Sequence, residues 1–206
     1  MNIVLDIDGT LVWSNLDETD IRLRPHLKEF LDKCFSYGGS VSIWTAANLR
    51  WANKIYDIIK PLMDGKHFDL IYTGEKCAIT YSSGFYSMGN ECKIVKPLKK
   101  MFSLKSKNYK KTNTIIIDDT PTTYSKNYGN AILVRRFYGD SDDTELLHVM
   151  AVLDKIYEHY NATGNVRDID KFTLMNNERA TFKLENKTDI SDFIDISHLV
   201  SAVLES

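Results

Sequence analysis

Cysteine is scarce in this chain, and what there is does not pair. Cys34, Cys77 and Cys92 are widely spaced and odd in number. They exclude a disulfide framework and read as reduced thiols of an intracellular protein. His26, His67, His148, His159 and His198 share no ligand spacing, which argues against zinc. No apolar run is long enough to span a bilayer, and the N-terminus lacks the basic region and apolar segment of a signal peptide. Neither sign of charge dominates. With 26 Lys and Arg against 28 Asp and Glu, the net charge of −2 gives no global pull towards nucleic acid or an anionic membrane. Internal repeats and low-complexity tracts are also missing. The length, 206 residues with 43% hydrophobic content, suits one domain with a full core and an appendage.

What is present begins at the N-terminus. Asn2–Val12 reads as a strand, with Ile3, Val4 and Leu5 feeding into Asp6-Ile7-Asp8-Gly9-Thr10. A continuous apolar run of this kind is expected of a parallel strand buried on both faces. Residues two apart on a strand share a side, so Asp6 and Asp8 are expected to aim at one point and invite a cation or a shared proton. Leu11–Arg24 is a short polar connection, and Pro25 opens a helix through about Tyr37. Ser40–Trp44 is a second strand ending at Thr45, followed by a helix over roughly Ala47–Met63 that Pro61 bends or stops. This alternation predicts an α/β fold, a Rossmann-like and mostly parallel sheet flanked by helices.

Phe68–Glu91 breaks the alternation. Leu70–Thr73, Cys77–Tyr81 and Phe85–Met88 are short strand-like pieces and suggest a small antiparallel β insertion. Its aromatic residues either form a recognition surface or, the heavier expectation, pack the insertion itself. Lys93–Lys111 carries eight lysines and no acid, a solvated face or an electrostatic guide for an anion. Lys96, followed by Pro97, is placed at the mouth of a new helix. Asn113–Ile117 is another buried strand, ending in Asp118-Asp119-Thr120-Pro121, with a helix from Pro121. A strand over Asn130–Val134 and a helix over Asp142–His159 complete the pattern, Asp142 and Asp143 sitting at the positive end of that helix. Beyond, Asn161–Lys171 looks like a polar linker continuing into Met175–Ala180, and Ile190–Leu204 has a weak helical pattern.

In a parallel sheet the strand ends share one edge, where open α/β sheets bind ligands. That edge would gather Asp6, Asp8, Thr45, Asp118 and Asp119, with Lys96 from a helix start. The set suits phosphoryl transfer to a carboxylate nucleophile, with a second carboxyl group as acid and base. Hard oxygen ligands suit Mg²⁺, and a hydroxyl and an ammonium suit the remaining phosphoryl oxygens.

The motifs Asp6-Ile7-Asp8-Gly9-Thr10, Trp44-Thr45-Ala46, Lys96 and Asp118-Asp119 resemble the four motifs of the haloacid dehalogenase superfamily. The closer resemblance is to its Fcp/Scp family, the phosphatases of the RNA polymerase II C-terminal domain and relatives similar to NLI-interacting factor. It rests on Arg24-Pro25-His26, Trp44-Thr45-Ala46, Gly74-Glu75-Lys76-Cys77, Val95-Lys96-Pro97-Leu98 and Asp143-Thr144-Glu145-Leu146, in order along Met1–Tyr160. The resemblance implies Asp6 as nucleophile, Asp8 as general acid/base, and Thr45 and Lys96 as holders of the phosphoryl group. It implies Mg²⁺ on the Asp6 carboxylate, the Asp8 backbone carbonyl and Asp118, with Asp119 acting directly or through water. Three departures stand out: Gly9 where Fcp/Scp members usually have Glu, Gly74 for the expected Arg, and Pro97 for Asp.

Residues 1–160 are then the phosphatase domain, 68–91 its β insertion, and 161–206 a C-terminal extension without assigned role. Both segments between motifs are too short for a large cap. An open site suits a phosphoserine or phosphothreonine protein or peptide as substrate. Alternatives are a phosphatase for a small molecule or a nucleic acid end, which the lysines could serve, and a non-catalytic phosphopeptide-binding module. Residence in the nucleus would follow the family; the sequence itself does not separate nucleus from cytoplasm.

Overall fold

The computed structural model describes residues 1–82 and 91–191. A central sheet of five parallel strands organises it: β1 (Asn2–Leu5), β4 (Val41–Trp44), β5 (Ile71–Tyr72), β8 (Thr114–Asp118) and β9 (Ala131–Leu133), in the spatial order β5-β4-β1-β8-β9. The chain is thus an α/β protein with β1 at the centre, paired to β4 on one side and β8 on the other.

The period of two along these strands sorts their side chains into two buried layers. Ile3, Leu5, Val41, Ile43, Ile115 and Ile117 pack with the apolar stripes of α1 (Leu27–Ser36), α2 (Leu49–Ile59) and α5 (Glu145–Thr163). Val4, Trp44 and Ile116 face the other way, against Leu98, Met101 and Tyr109. Both faces are covered, which is why β1 reads as an uninterrupted apolar run rather than an alternating one.

The N-terminal strand is shorter than its apolar sequence suggests. It stops at Leu5, and the Ile7 carbonyl accepts hydrogen bonds from the amides of Thr10, Leu11 and Val12, a turn that displaces ladder pairing. Gly9 makes this turn at φ +77°. The connection Leu11–Arg24 is not irregular: β2 (Val12–Ser14) and β3 (Ile21–Leu23) form an antiparallel hairpin. The Asn15 side chain closes it by accepting from the amides of Thr19 and Asp20.

Leu70–Thr73 also differs from expectation. Its core, β5, lies parallel to β4 at the edge of the main sheet instead of in the insertion. The insertion is an antiparallel hairpin of β6 (Ala78–Ser82) and β7 (Glu91–Val95), so its second strand runs into the lysine-rich segment. Ile79, Tyr81 and Ile94 stand exposed on it, Tyr81 at 68%. The strand-like piece Phe85–Met88 lies outside the described residues. Lys96 comes directly after β7, at a strand end and not a helix start. The helix after it, α3 (Lys99–Phe102), is a single turn.

α4 (Pro121–Lys126) begins at Pro121 as its ring predisposes. α5 starts later than the apolar pattern implies, because Asp143 is drawn away to Arg24 and Asp142 lies outside the helix. Asn161–Lys171 is no simple linker. α5 continues to Thr163, Val166 is fully buried, and α6 (Lys171–Ser191) returns with Met175 in the core. Of Ile190–Leu204, residues 192 onward lie outside the described residues.

Candidate active site

The site is built from residues that leave the strands at the carboxyl edge of the sheet. The Asp6 amide still bonds to the Ile117 carbonyl at 3.0 Å, so its side chain leaves the sheet from a fixed backbone beside β8. β8 delivers Asp118 and Asp119, β4 delivers Thr45, and β7 delivers Lys96. Asn127 fixes the last of these: its amide group donates to the Lys96 carbonyl and its oxygen accepts from the Leu98 amide, clamping the chain on both sides of Pro97.

Lys96 is the hub. Its ammonium donates to Asp6 Oδ1 at 2.5 Å and to Asp118 Oδ2 at 2.8 Å, with all three side chains buried. Asp118 Oδ1 accepts from the Thr120 amide at 2.7 Å. Asp119 Oδ2 accepts from Arg136 Nη1 at 2.9 Å. Asp8 has other partners than Asp6. Its two oxygens accept from Trp51 Nε1 at 2.7 Å and from the Thr45 hydroxyl at 3.1 Å. The two carboxylates nevertheless reach one cavity, although Asp8 is carried by the turn at Ile7–Val12 and not by a strand. They line it with Lys96, Asp119, Ile94 and Arg136, around a volume of about 200 Å³.

Burial raises the Asp6 carboxyl well above its usual pKa; Lys96 opposes that shift, and Asp118 and Asp119 add to it. Asp119 moves up for the same first reason, with Arg136 pulling it back. For Lys96, burial works against the charge, but Asp6 and Asp118 outweigh it and raise the ammonium. Four carboxyl groups here face two cations, an excess of buried negative charge that favours a further cation. Asp6, Asp118 and Asp119 each offer an oxygen, all within 4.8 Å of one another. Hard oxygen donors so grouped fit Mg²⁺.

The expected residues are thus brought together: Asp6, Asp8, Lys96 and Asp119 line the cavity, with Asp118 and Thr45 bonded directly behind them. Thr45 is fully buried and its hydroxyl is engaged with Asp8 and, as acceptor, the Ala47 amide. Sequence reasoning missed Trp51, Asn127 and Arg136. Trp51 reads as a core residue of α2, and its indole N–H shows no sign in the sequence of reaching Asp8.

Two of the departures have steric reasons. A Cβ at Gly9 would lie 2.6 Å from Asp119 Oδ2 and 2.9 Å from Arg136 Cγ. A Cβ at Gly74 would lie 2.5 Å from the Ala46 carbonyl oxygen, so no side chain fits there without moving the loop after β4.

A mostly parallel sheet flanked by helices, with an acidic cluster and a buried lysine at its carboxyl edge, is the α/β fold of the haloacid dehalogenase type. It belongs to the NLI interacting factor-like phosphatase family, whose model matches residues 1–167. The chain is 28% identical over 172 residues to CTD small phosphatase-like protein 3 of Caenorhabditis elegans, covering 75% of this chain and 53% of that protein. It is 29% identical over 163 residues to ubiquitin-like domain-containing CTD phosphatase 1 of Drosophila melanogaster, covering 76% and 49%. The chain therefore spans about half the length of these curated relatives. The solved structure of fission yeast RNA polymerase II CTD phosphatase Fcp1-R271A bound to beryllium fluoride shares the fold, with a TM-score of 0.57 at 16% identity over 79% of this chain and 64% of that one.

Proposed function

We propose that this chain is a Mg²⁺-dependent phosphomonoester hydrolase that acts on phosphoserine or phosphothreonine in proteins. The observation that carries the reading is the buried Asp6 carboxylate, fixed at the centre of the sheet's carboxyl edge by Lys96 and grouped with Asp118 and Asp119.

An Asp6 oxygen attacks phosphorus while the bond from phosphorus to the substrate oxygen breaks. Asp8, oriented by Trp51 and Thr45, gives its proton to that leaving oxygen. Asp8 then takes a proton from water, whose oxygen attacks the phosphoryl group and releases phosphate from Asp6. Lys96 holds negative charge at the cavity floor throughout, and Thr45, expected at the phosphoryl group, acts in this geometry through Asp8, to which its one hydroxyl proton is given. Asp6, Asp118 and Asp119, with the Asp8 carbonyl, would hold Mg²⁺, whose charge offsets repulsion between carboxylate and phosphate.

The substrate class follows from the walls. The β2–β3 hairpin is small, and the β6–β7 hairpin presents Ile79, Tyr81 and Ile94 outward, Ile94 at the cavity itself. An apolar face beside an open site suits a polypeptide that lies across it. The names of the curated relatives, CTD phosphatases, point the same way.

The test is phosphate release from a phosphoserine peptide and from an aryl phosphate, with and without Mg²⁺. The expected result is turnover that favours the peptide, stops on chelation and returns with Mg²⁺. Aryl phosphate turnover alone would contradict the protein substrate, and full activity in chelator would contradict the metal.

A further inference from the structure

Two cations reach the catalytic cavity, and they sit at different depths. Lys96 is 5% exposed, bonded to Asp6 and Asp118 at the floor. The Arg136 side chain is 53% exposed, at the mouth. Among the described residues its hydrogen-bonded partner is Asp119, reached by a single Nη1 donor of a guanidinium that carries five N–H groups.

Arg136 is nevertheless firmly placed. The carbonyl of Arg135 accepts from Arg24 Nη2 at 2.8 Å, and the Arg135 amide donates to Glu145 at 2.8 Å. On the other side, the Phe137 amide donates to the Gly9 carbonyl at 2.8 Å. The backbone at Arg136 is thereby tied to the same turn that carries Asp6 and Asp8. Gly9 completes the fit, since the Arg136 side chain occupies the space that any Cβ at that position would enter. The pair with Asp119, whose side chain is 2% exposed, engages one Nη1 of a guanidinium that is itself half exposed, and among the described residues its other N–H groups have no hydrogen-bonded partner. A planar fork of donors at the mouth suits a carboxylate or phosphate.

We infer that Arg136 is a specificity residue that selects substrates carrying a second anionic group, a carboxylate or another phosphate, on a residue next to the phosphorylated one. The inference rests on the phosphatase reading above. Lys96 at the floor holds the reacting phosphoryl group, and Arg136 at the mouth meets the charge that flanks it.

Three phosphoserine peptides test this, identical except for a neighbouring alanine, glutamate or second phosphoserine. They are compared as substrates of the wild type, Arg136→Ala and Arg136→Lys at low and high salt. The wild type is expected to prefer the charged neighbours by about tenfold in kcat/KM, chiefly through KM, and to lose that preference in high salt. Arg136→Ala should abolish the preference, and Arg136→Lys, with charge but no fork, should keep part of it. A preference confined to the second phosphoserine would assign a doubly phosphorylated substrate; preference for both would assign an acidic one. An equal fall on all three peptides in Arg136→Ala would reduce Arg136 to a partner of Asp119 and overturn the inference. Wild-type turnover with no preference overturns the inference alone. No wild-type turnover of any peptide overturns the phosphatase reading with it.

Discussion

Arg24 shows how much of the site depends on one residue that never touches the cavity. Fully buried, it donates to both oxygens of Asp143, to the carbonyls of Gly9 and Thr10 and to that of Arg135, while lying over the Phe137 ring. It joins the turn that carries Asp8 to the loop that carries Arg136. Replacing Arg24 with Met would remove the cation from Asp143 and a donor from the Thr10 and Arg135 carbonyls, and a loss of about 3–5 kcal/mol is expected in urea denaturation. A loss under about 1 kcal/mol would contradict that role. Gly9→Ala is expected to cost about 1–3 kcal/mol from its positive φ alone, and activity besides, as Asp119 and Arg136 shift; an unchanged denaturation midpoint would count against it. Trp51→Phe keeps the apolar bulk and removes the 2.7 Å bond to Asp8. Its expected signature is a fall of about tenfold in kcat with little change in stability. The candidate aspartates were legible in the sequence because each stands where a strand ends. Arg136 was not, since its relation to Asp119 depends on the path of the loop after β9, which no local pattern encodes.

Among the elements, the sheet was legible where burial is continuous. β1, β4 and β8 each show an unbroken buried pattern that only a sheet covered on both faces explains. Misreadings fell on two- and three-residue strands, whose side chains are too few to show a period: β2, β3 and β5 all belong to this class. The return of α6 was hidden by its composition, because only Met175 and a few neighbours carry the contact. Lys171 begins that helix with its ammonium donating to the carbonyls of Gly129, Val166 and Ile169. Burial lowers its pKa to about 8, and Arg167 adds to the effect. An unfolded lysine holds its proton to about pH 10. Between these values the unfolded chain binds more protons, so the Lys171 contribution to stability rises with pH, and below about pH 8 it is level. Denaturation of the wild type minus that of Lys171→Met, tracked from about pH 7 to about pH 10, should increase across the window. Parallel curves would show that the ammonium is not held in this way.

At the scale of the whole molecule, a nearly neutral chain gathers a compact set of charged side chains where the sheet ends. Among the described residues, the core strands arrange four carboxyl groups and two cations around one small cavity. Among the described residues no helix is long and apolar enough to cross a membrane. The central claim is that Asp6 takes the phosphoryl group. The measurement that tests it most directly is an acid quench of the enzyme during turnover of a phosphoserine peptide, with mass spectrometry of the enzyme's fragments. The expected result is a phosphoryl adduct on the fragment containing Asp6, absent in Asp6→Asn, with turnover in that variant down by at least about 10³-fold and the fold intact. An adduct on another residue, or full turnover in Asp6→Asn, would contradict it.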